Sequence, residues 1–242
     1  MKEAKEKIIF PLDFQSLKEA LYWVERVNPY VGIFKIGFEL FVKEGPKSIE
    51  AIKKRGASKV FLDLKLFDIP NTVAGAVRSA TSYGVDYLTV HILSGRKALE
   101  KAIEASQGGV KILGVTLLTS LDKADLLEMG FSGELLYKTE DLVYKLSFLA
   151  NSVGCDGIVC SAKEVALVKN AFPHLLAVVP GIRLDDVAKD DQIRTATPME
   201  AILAGADFLV IGRPIKESTS PEETCKTILK QIIEALKAKN AI

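Results

Sequence analysis

The feature that most restricts this chain is an alternation. Short apolar runs rich in β-branched residues recur eight times: KIIFPLDF, GIFKIG, KVFLDLKL, YLTVHI, KILGVTLL, DGIVCS, LLAVVPGI and FLVIGRPI. Between them, stretches such as SLKEALYWVERV, NTVAGAVRSATSYG, SGRKALEKAIEASQ and TEDLVYKLSFLANSVG place apolar residues three and four apart, as a helix with one buried face requires. The last segment, SPEETCKTILKQIIEALKAK, begins with acids and ends with lysines, which matches the helix dipole. Strands alternating with helices imply parallel pairing. Eight strands and roughly eight helices in 242 residues predict an α/β chain folded as a single (β/α)8 TIM barrel over residues 1–242. A doubly wound open sheet is the rival, but it normally carries a GxGxxG turn after an early strand, and this sequence has none. No Pro/Ser-rich linker, low-complexity tract or repeat beyond the βα period breaks the pattern.

Charge removes several classes of function. The 32 Lys and Arg against 31 Asp and Glu leave no bulk field for nucleic acid or an anionic membrane. The N-terminal MKEAKEK lacks a signal-peptide core, and no window offers the eighteen or so apolar residues of a membrane span. A cytoplasmic protein is expected. Cys155, Cys160 and Cys225 lack metal-ligand spacing and read as small buried hydrophobes, and His91 and His174 are the only imidazoles. Neither a metal site nor a cofactor is expected. The chemistry falls to Asp, Lys, Arg and Thr.

In a (β/α)8 barrel, functional groups stand at the C-terminal strand ends. In FLDLKLFDIP, strand alternation puts Asp63 and Lys65 on one side, while Leu62 and Leu64 face the helices. Asp68 follows just past the strand. Asp13 ends the first run and Lys35 lies in the second, so neighbouring strands would gather Asp13, Lys35, Asp63 and Lys65 at one mouth. A structural ion-pair network closing the barrel is the competing reading. Four buried charges cost stability unless well paired, and perturbed charges cluster at active sites, so the functional reading is preferred. At the other end of the chain, VVPGIRLDD and FLVIGRPI close the seventh and eighth runs, where this barrel type usually grips phosphate. Gly181 and Gly212 would let backbone N–H groups approach an anion, Arg213 would supply a bidentate fork, and the next helix its dipole. Thr116, Thr119 and Ser120 read alone as cap or turn hydroxyls, His91 as a hydrogen-bonded core imidazole, and Trp23 as core.

Taken together, the pattern Asp63-x-Lys65-x-x-Asp68 with Ile69 and Thr72, LDF with Asp13, FKIG with Lys35, GVTLLTS, PGIR with Arg183, DDQ with Gln192 and IGRPI with Arg213 resembles the orotidine 5′-monophosphate decarboxylases along essentially the whole chain. The resemblance implies conversion of that nucleotide to UMP, with Lys65 donating a proton to C6 of the pyrimidine. It implies Asp63 against the substrate carboxylate, with Lys35 and Asp13 completing the charge network and holding the ribose hydroxyls. It implies that Thr119 meets the pyrimidine and that Gln192, Arg213 and Arg183 grip the phosphate on a closing loop. It also implies a homodimer in which Asp68 and Thr72 reach the neighbouring site. Magnesium-dependent sugar-phosphate decarboxylases and hexulose-phosphate synthases share the barrel and the Asp-x-Lys-x-x-Asp element. They carry Glu where this chain has Lys35, and an ammonium there would repel the cation. A non-catalytic nucleotide-binding barrel is the third possibility.

Overall fold

The computed structural model describes residues 1–131, 139–184 and 195–240. Among them, eight strands close a parallel barrel in chain order, with the last paired to the first. They are β1 (Ile8–Pro11), β2 (Ile33–Ile36), β3 (Val60–Leu66), β4 (Tyr87–His91), β5 (Lys111–Val115), β6 (Gly157–Val159), β7 (Leu176–Val179) and β8 (Phe208–Val210). Each falls within one of the eight apolar runs. The helices also form where the periodicity places them. Ser16 caps Leu17–Val27 by accepting the Glu19 N–H at 3.2 Å, and the acid-to-lysine segment forms Pro221–Asn240. There are more helices than eight, however. The crossover from β2 to β3 carries two, Phe38–Glu44 and Lys47–Lys54, separated at Gly45, whose φ of +61° ends the first, and by Pro46. The charged N-terminus folds too: Lys2–Glu6 is helical and buries Ala4 beneath the barrel.

Strand alternation sorts side chains into two cores. Outward residues, including Leu62 and the partly buried Leu64, pack against the helices. Inward residues Ile9, Ile33, Phe61, Tyr87, Leu113 and Val178 pack into one cluster that fills the barrel interior, so it is a solid floor rather than a pore. Each such apolar side chain contributes about 1.5–3 kcal/mol of transfer free energy. Gly157 is part of its geometry, since a Cβ there would come within 2.5 Å of the Leu176 carbonyl oxygen.

A short repeat, which periodicity alone does not single out, ties the floor's lower rim. Gly-x-Asp precedes β4, β6 and β8 as Gly84-Val85-Asp86, Gly154-Cys155-Asp156 and Gly205-Ala206-Asp207. Each glycine has positive φ (+65°, +87° and +110°) and ends the preceding helical segment. Each aspartate then clamps the neighbouring odd-numbered strand twice. Its backbone N–H donates to Val60, Ile112 or Ala177, and its Oδ2 accepts the same residue's N–H at 2.8 Å.

Candidate active site

Two residues above the apolar floor, the inward positions change character. Moving along the strands from Ile9, Ile33, Phe61 and Tyr87 gives Pro11, Lys35, Asp63 and Thr89. The same step from Leu113 and Val178 gives Val115 and Pro180. The mouth therefore has a charged wall on β1–β3 and an apolar wall of Val115, Leu117, Val159, Val178, Pro180 and Val210. Between them lies a cavity of about 430 Å³, within the usual range for a small-molecule site.

The four charges predicted to meet do so. Asp63 Oδ2 lies 2.9 Å from Lys65 Nζ and 3.3 Å from Lys35 Nζ, and Lys35 Nζ is also 3.3 Å from Asp13 Oδ1. All four side chains line the cavity. Burial by itself would raise the Asp63 carboxyl, but Lys35, Lys65 and the Thr89 hydroxyl outweigh it and hold that carboxyl below its usual range. Burial likewise opposes the Lys35 ammonium, and Asp63 with Asp13 more than restores it. Both groups are thus kept ionised in a largely dry place. Lys65 departs from simple alternation: its φ is +40°. For a non-glycine residue, left-handed backbone costs about 1–2 kcal/mol.

At the opposite wall, Gly181, Arg183, Gly212 and Arg213 also line the cavity. Ile182 bridges to Ala196, and the Arg183 N–H donates to the Ala196 carbonyl at 2.9 Å, which pins this stretch beside the mouth. Gly212 is also required by packing, because a Cβ would sit 2.7 Å from Pro11 Cγ. One expectation changes here. The helix after β8 is only Arg213–Lys216, a single turn too short to sum many peptide dipoles. Gln192 lies outside the described residues. Thr119 faces the cavity, whereas the buried Thr116 hydroxyl donates to the Val159 carbonyl at 2.8 Å and serves the sheet.

Asp68 and Thr72 do not line the cavity of their own chain. Both are exposed, and Asp68 Oδ1 accepts the Ile69 N–H at 2.6 Å. His91 is half-buried at the end of β4, where burial and then Lys65 favour its neutral form; its Nδ1 accepts the Leu93 N–H at 3.3 Å. Cys155, Cys160 and Cys225 are buried thiols, pushed up by burial, and Trp23 packs against Phe10 and Phe14. No group of three or more His, Cys, Asp or Glu side chains among the described residues has the geometry of a metal site.

Two residues escaped the sequence reading. Lys216, one helical turn beyond Arg213, reaches the cavity with Nζ 4.4 Å from the Phe14 ring centroid and 3.3 Å from the Asp13 carbonyl oxygen. Its spacing from Arg213 was the available signal. Thr89 is fully buried behind Asp63, two positions along β4 from the inward Tyr87, and that alternation was its signal.

The sequence profile of the Orotidine 5'-phosphate decarboxylase / HUMPS family matches residues 6–228. An orotidine 5'-phosphate decarboxylase of Anaeromyxobacter sp. (strain K) is 46% identical over 224 residues, which cover 92% of this chain and 96% of the relative. One from Gloeothece citriformis is 42% identical over 233 residues, covering 95% and 98% respectively. Among solved structures, the orotidine 5'-phosphate decarboxylase of Lactobacillus acidophilus superposes with a TM-score of 0.76 at 29% identity, covering 94% of this chain and 99% of that one.

Proposed function

Because the chain belongs to the orotidine 5′-phosphate decarboxylase / HUMPS family, we propose that it decarboxylates orotidine 5′-monophosphate to UMP with its own side chains. The observation that carries this reading is the continuous charge series Asp13–Lys35–Asp63–Lys65 in the mouth of the barrel. Breaking the C6–carboxylate bond leaves an electron pair in the ring plane, where the pyrimidine carbonyls cannot delocalise it well. The site answers with charge fixed in advance. Lys65 faces the forming carbanion and then gives C6 its proton, so the products are UMP and CO2. Asp63, kept ionised by its two lysines, meets the substrate carboxylate as an anion. Lys35 and Asp13 hold the series in place and face the ribose hydroxyls.

Magnitudes divide the work. Two unit charges about 4 Å apart at an effective dielectric near 20 interact by about 4 kcal/mol, roughly a thousandfold in rate. The hardest enzymatic accelerations need about 20 kcal/mol, so repulsion at Asp63 is a minor share. The remainder falls to carbanion stabilisation by Lys65 and to remote binding of the phosphate by Arg213 and Arg183, with Gln192 assigned there by resemblance. Thr119 would meet the pyrimidine from the apolar side.

Lys35 also speaks against the metal-dependent sugar-phosphate branch. Its ammonium stands between Asp13 and Asp63, 3.3 Å from each, and would repel a divalent cation brought to those carboxylates.

The proposed assembly is a homodimer. Phe67 and Ile69, which flank Asp68 in the chain, are 65% and 68% exposed, and Phe38 and Val42 after β2 are 54% and 79% exposed. This apolar rim, with Asp68 and Thr72 turned out of their own cavity, supports a second copy covering it and receiving those two side chains. The proposed setting is the cytoplasm: the three buried thiols suit a reducing compartment, and among the described residues no helix is long and apolar enough to cross a membrane.

An ultraviolet assay with orotidine 5′-monophosphate, run with and without EDTA, tests the activity. Turnover indifferent to EDTA is expected, and none in Lys65→Ala. Absence of turnover in the unaltered protein would sink the reading, and loss of turnover with EDTA would move it to the metal-dependent branch.

A further inference from the structure

β3 does not cross the site as a regular strand. Its pairing with β4 goes from Leu62↔Leu88 to Leu66↔Val90, so Asp63, Leu64 and Lys65 stand opposite Thr89 alone. The extra residues bulge, and Lys65 takes its φ of +40°, a conformation that persists where the surroundings over-determine it. The bulge removes the Lys65 N–H from the regular ladder, and a buried N–H needs an acceptor.

That acceptor is the Thr89 hydroxyl, at 2.8 Å, and the same oxygen lies 2.9 Å from Asp63 Oδ1. Oγ1 accepts from the backbone N–H, so its single proton is free to go to the carboxylate. One buried hydroxyl thereby ties the backbone of Lys65 to the side chain of Asp63. It occupies Oδ1 and leaves Oδ2 to the two lysines. Thr89 itself stays out of the cavity lining, so it acts through the pair in front of it.

We infer that Thr89 is a positioning residue for the decarboxylation: it holds the β3 bulge that aims Lys65 and locks the Asp63 carboxylate beside it. The inference rests on the proposed role of Lys65. It separates Thr89 from an ordinary core residue, for which an isosteric apolar side chain would serve equally well. Valine keeps the branched shape but neither accepts from Lys65 nor donates to Asp63. A displacement near 1 Å in a reacting group can cost about a hundredfold in rate, so a small shift of the Lys65 backbone is enough to be read in kcat.

The test compares the full-length protein with Thr89→Val, Thr89→Ser and Lys65→Ala, measuring kcat, KM for orotidine 5′-monophosphate and the thermal midpoint. Thr89→Val should lower kcat about tenfold to a hundredfold while KM stays within about threefold. Thr89→Ser, which restores the hydroxyl without the methyl, should return kcat to within about threefold of the unaltered protein. A Thr89→Val protein with unchanged kcat overturns the inference, as does one that changes KM alone. Thr89→Ser falling as far as Thr89→Val would assign the effect to methyl packing and also overturn it. If Thr89→Val does not fold, Thr89→Cys, with its weakly hydrogen-bonding thiol, takes its place under the same expectations. An active Lys65→Ala would bring down the role of Lys65 and this inference together. An inert Lys65→Ala beside a fully active Thr89→Val would overturn the inference alone.

Discussion

Replacing Lys35 by Met removes the central cation of the charge series and keeps a side chain of similar length. Lys35 Nζ is 3.3 Å from Asp13 Oδ1 and 3.3 Å from Asp63 Oδ2. At that distance and an effective dielectric near 20, each pair is attracted by about 5 kcal/mol before desolvation is counted. The two carboxylates respond differently to its loss. The Asp13 side chain is 50% exposed and rehydrates, whereas that of Asp63 is 11% exposed and cannot. Removing one partner of a buried pair typically costs about 3–5 kcal/mol. Lys65 and Thr89 still hold Asp63, so the lower end, about 3 kcal/mol near neutral pH, is expected. For a chain of this length that lowers the thermal midpoint by roughly 6–12 °C.

The dependence on pH is the sharper part of this prediction. The Asp63 carboxyl is held below its ordinary value in the folded protein, so its contribution is fully present above the unfolded value near 3.9 and disappears as pH falls through the folded one. Lys35 is held above its ordinary value, so its contribution is present below about 10.4 and disappears as pH rises through the folded value. The Met variant should therefore trail the unaltered protein most across neutral pH. The gap should narrow once pH falls below about 3.9 and close as it passes through the folded value of Asp63, where that carboxyl is protonated and the buried Lys35 ammonium has lost a partner. Urea unfolding midpoints over that range measure the gap, with the slope m as a check that the exposed surface is unchanged. A gap of equal size at acidic and neutral pH would refute the electrostatic account and leave lost packing as the cause.

Asp86→Ala deletes one clamp at the far rim of the barrel; it should cost about 1–3 kcal/mol in unfolding experiments while kcat and KM stay unchanged, since the Val60 N–H loses its acceptor far from the mouth. Orotidine, which lacks the phosphate, should lose turnover as well as affinity; a loss of affinity alone would show that phosphate binding is not used in the transition state. Arg213→Ala should hurt the phosphorylated substrate and leave the residual turnover of orotidine nearly untouched, as parallel kinetics on the two compounds would reveal. Ile69→Glu should shift the protein toward monomer in sedimentation and lower activity in proportion, because Asp68 and Thr72 would lose the neighbouring site; a fully active monomer would contradict the shared-site proposal.

Much of the barrel was legible in the chain because its causes are local. A period of two along each strand and of three to four along each helix is written in neighbouring residues, and eight repeats of the pair leave few ways to bury both faces. The same alternation placed Asp63 and Lys65 on one side, and charge in an otherwise apolar mouth marked Lys35 and Asp13. Alternation names a side but not a register. Whether β3 slips against β4, and what then satisfies the freed N–H of Lys65, depends on two strands meeting, which neither encodes alone. The positive φ of Lys65 had no glycine to announce it. Alternation from Tyr87 turns Thr89 inward, but only the bulge gives its hydroxyl two partners. Gly212 marks a candidate opening for an anion in the sequence, and only the closing of β8 onto β1 adds the packing demand of Pro11 against it. The chain's chemistry named the charged groups. Their aim was decided by contacts between strands, where hydrogen-bond satisfaction and steric limits act only once the barrel has closed.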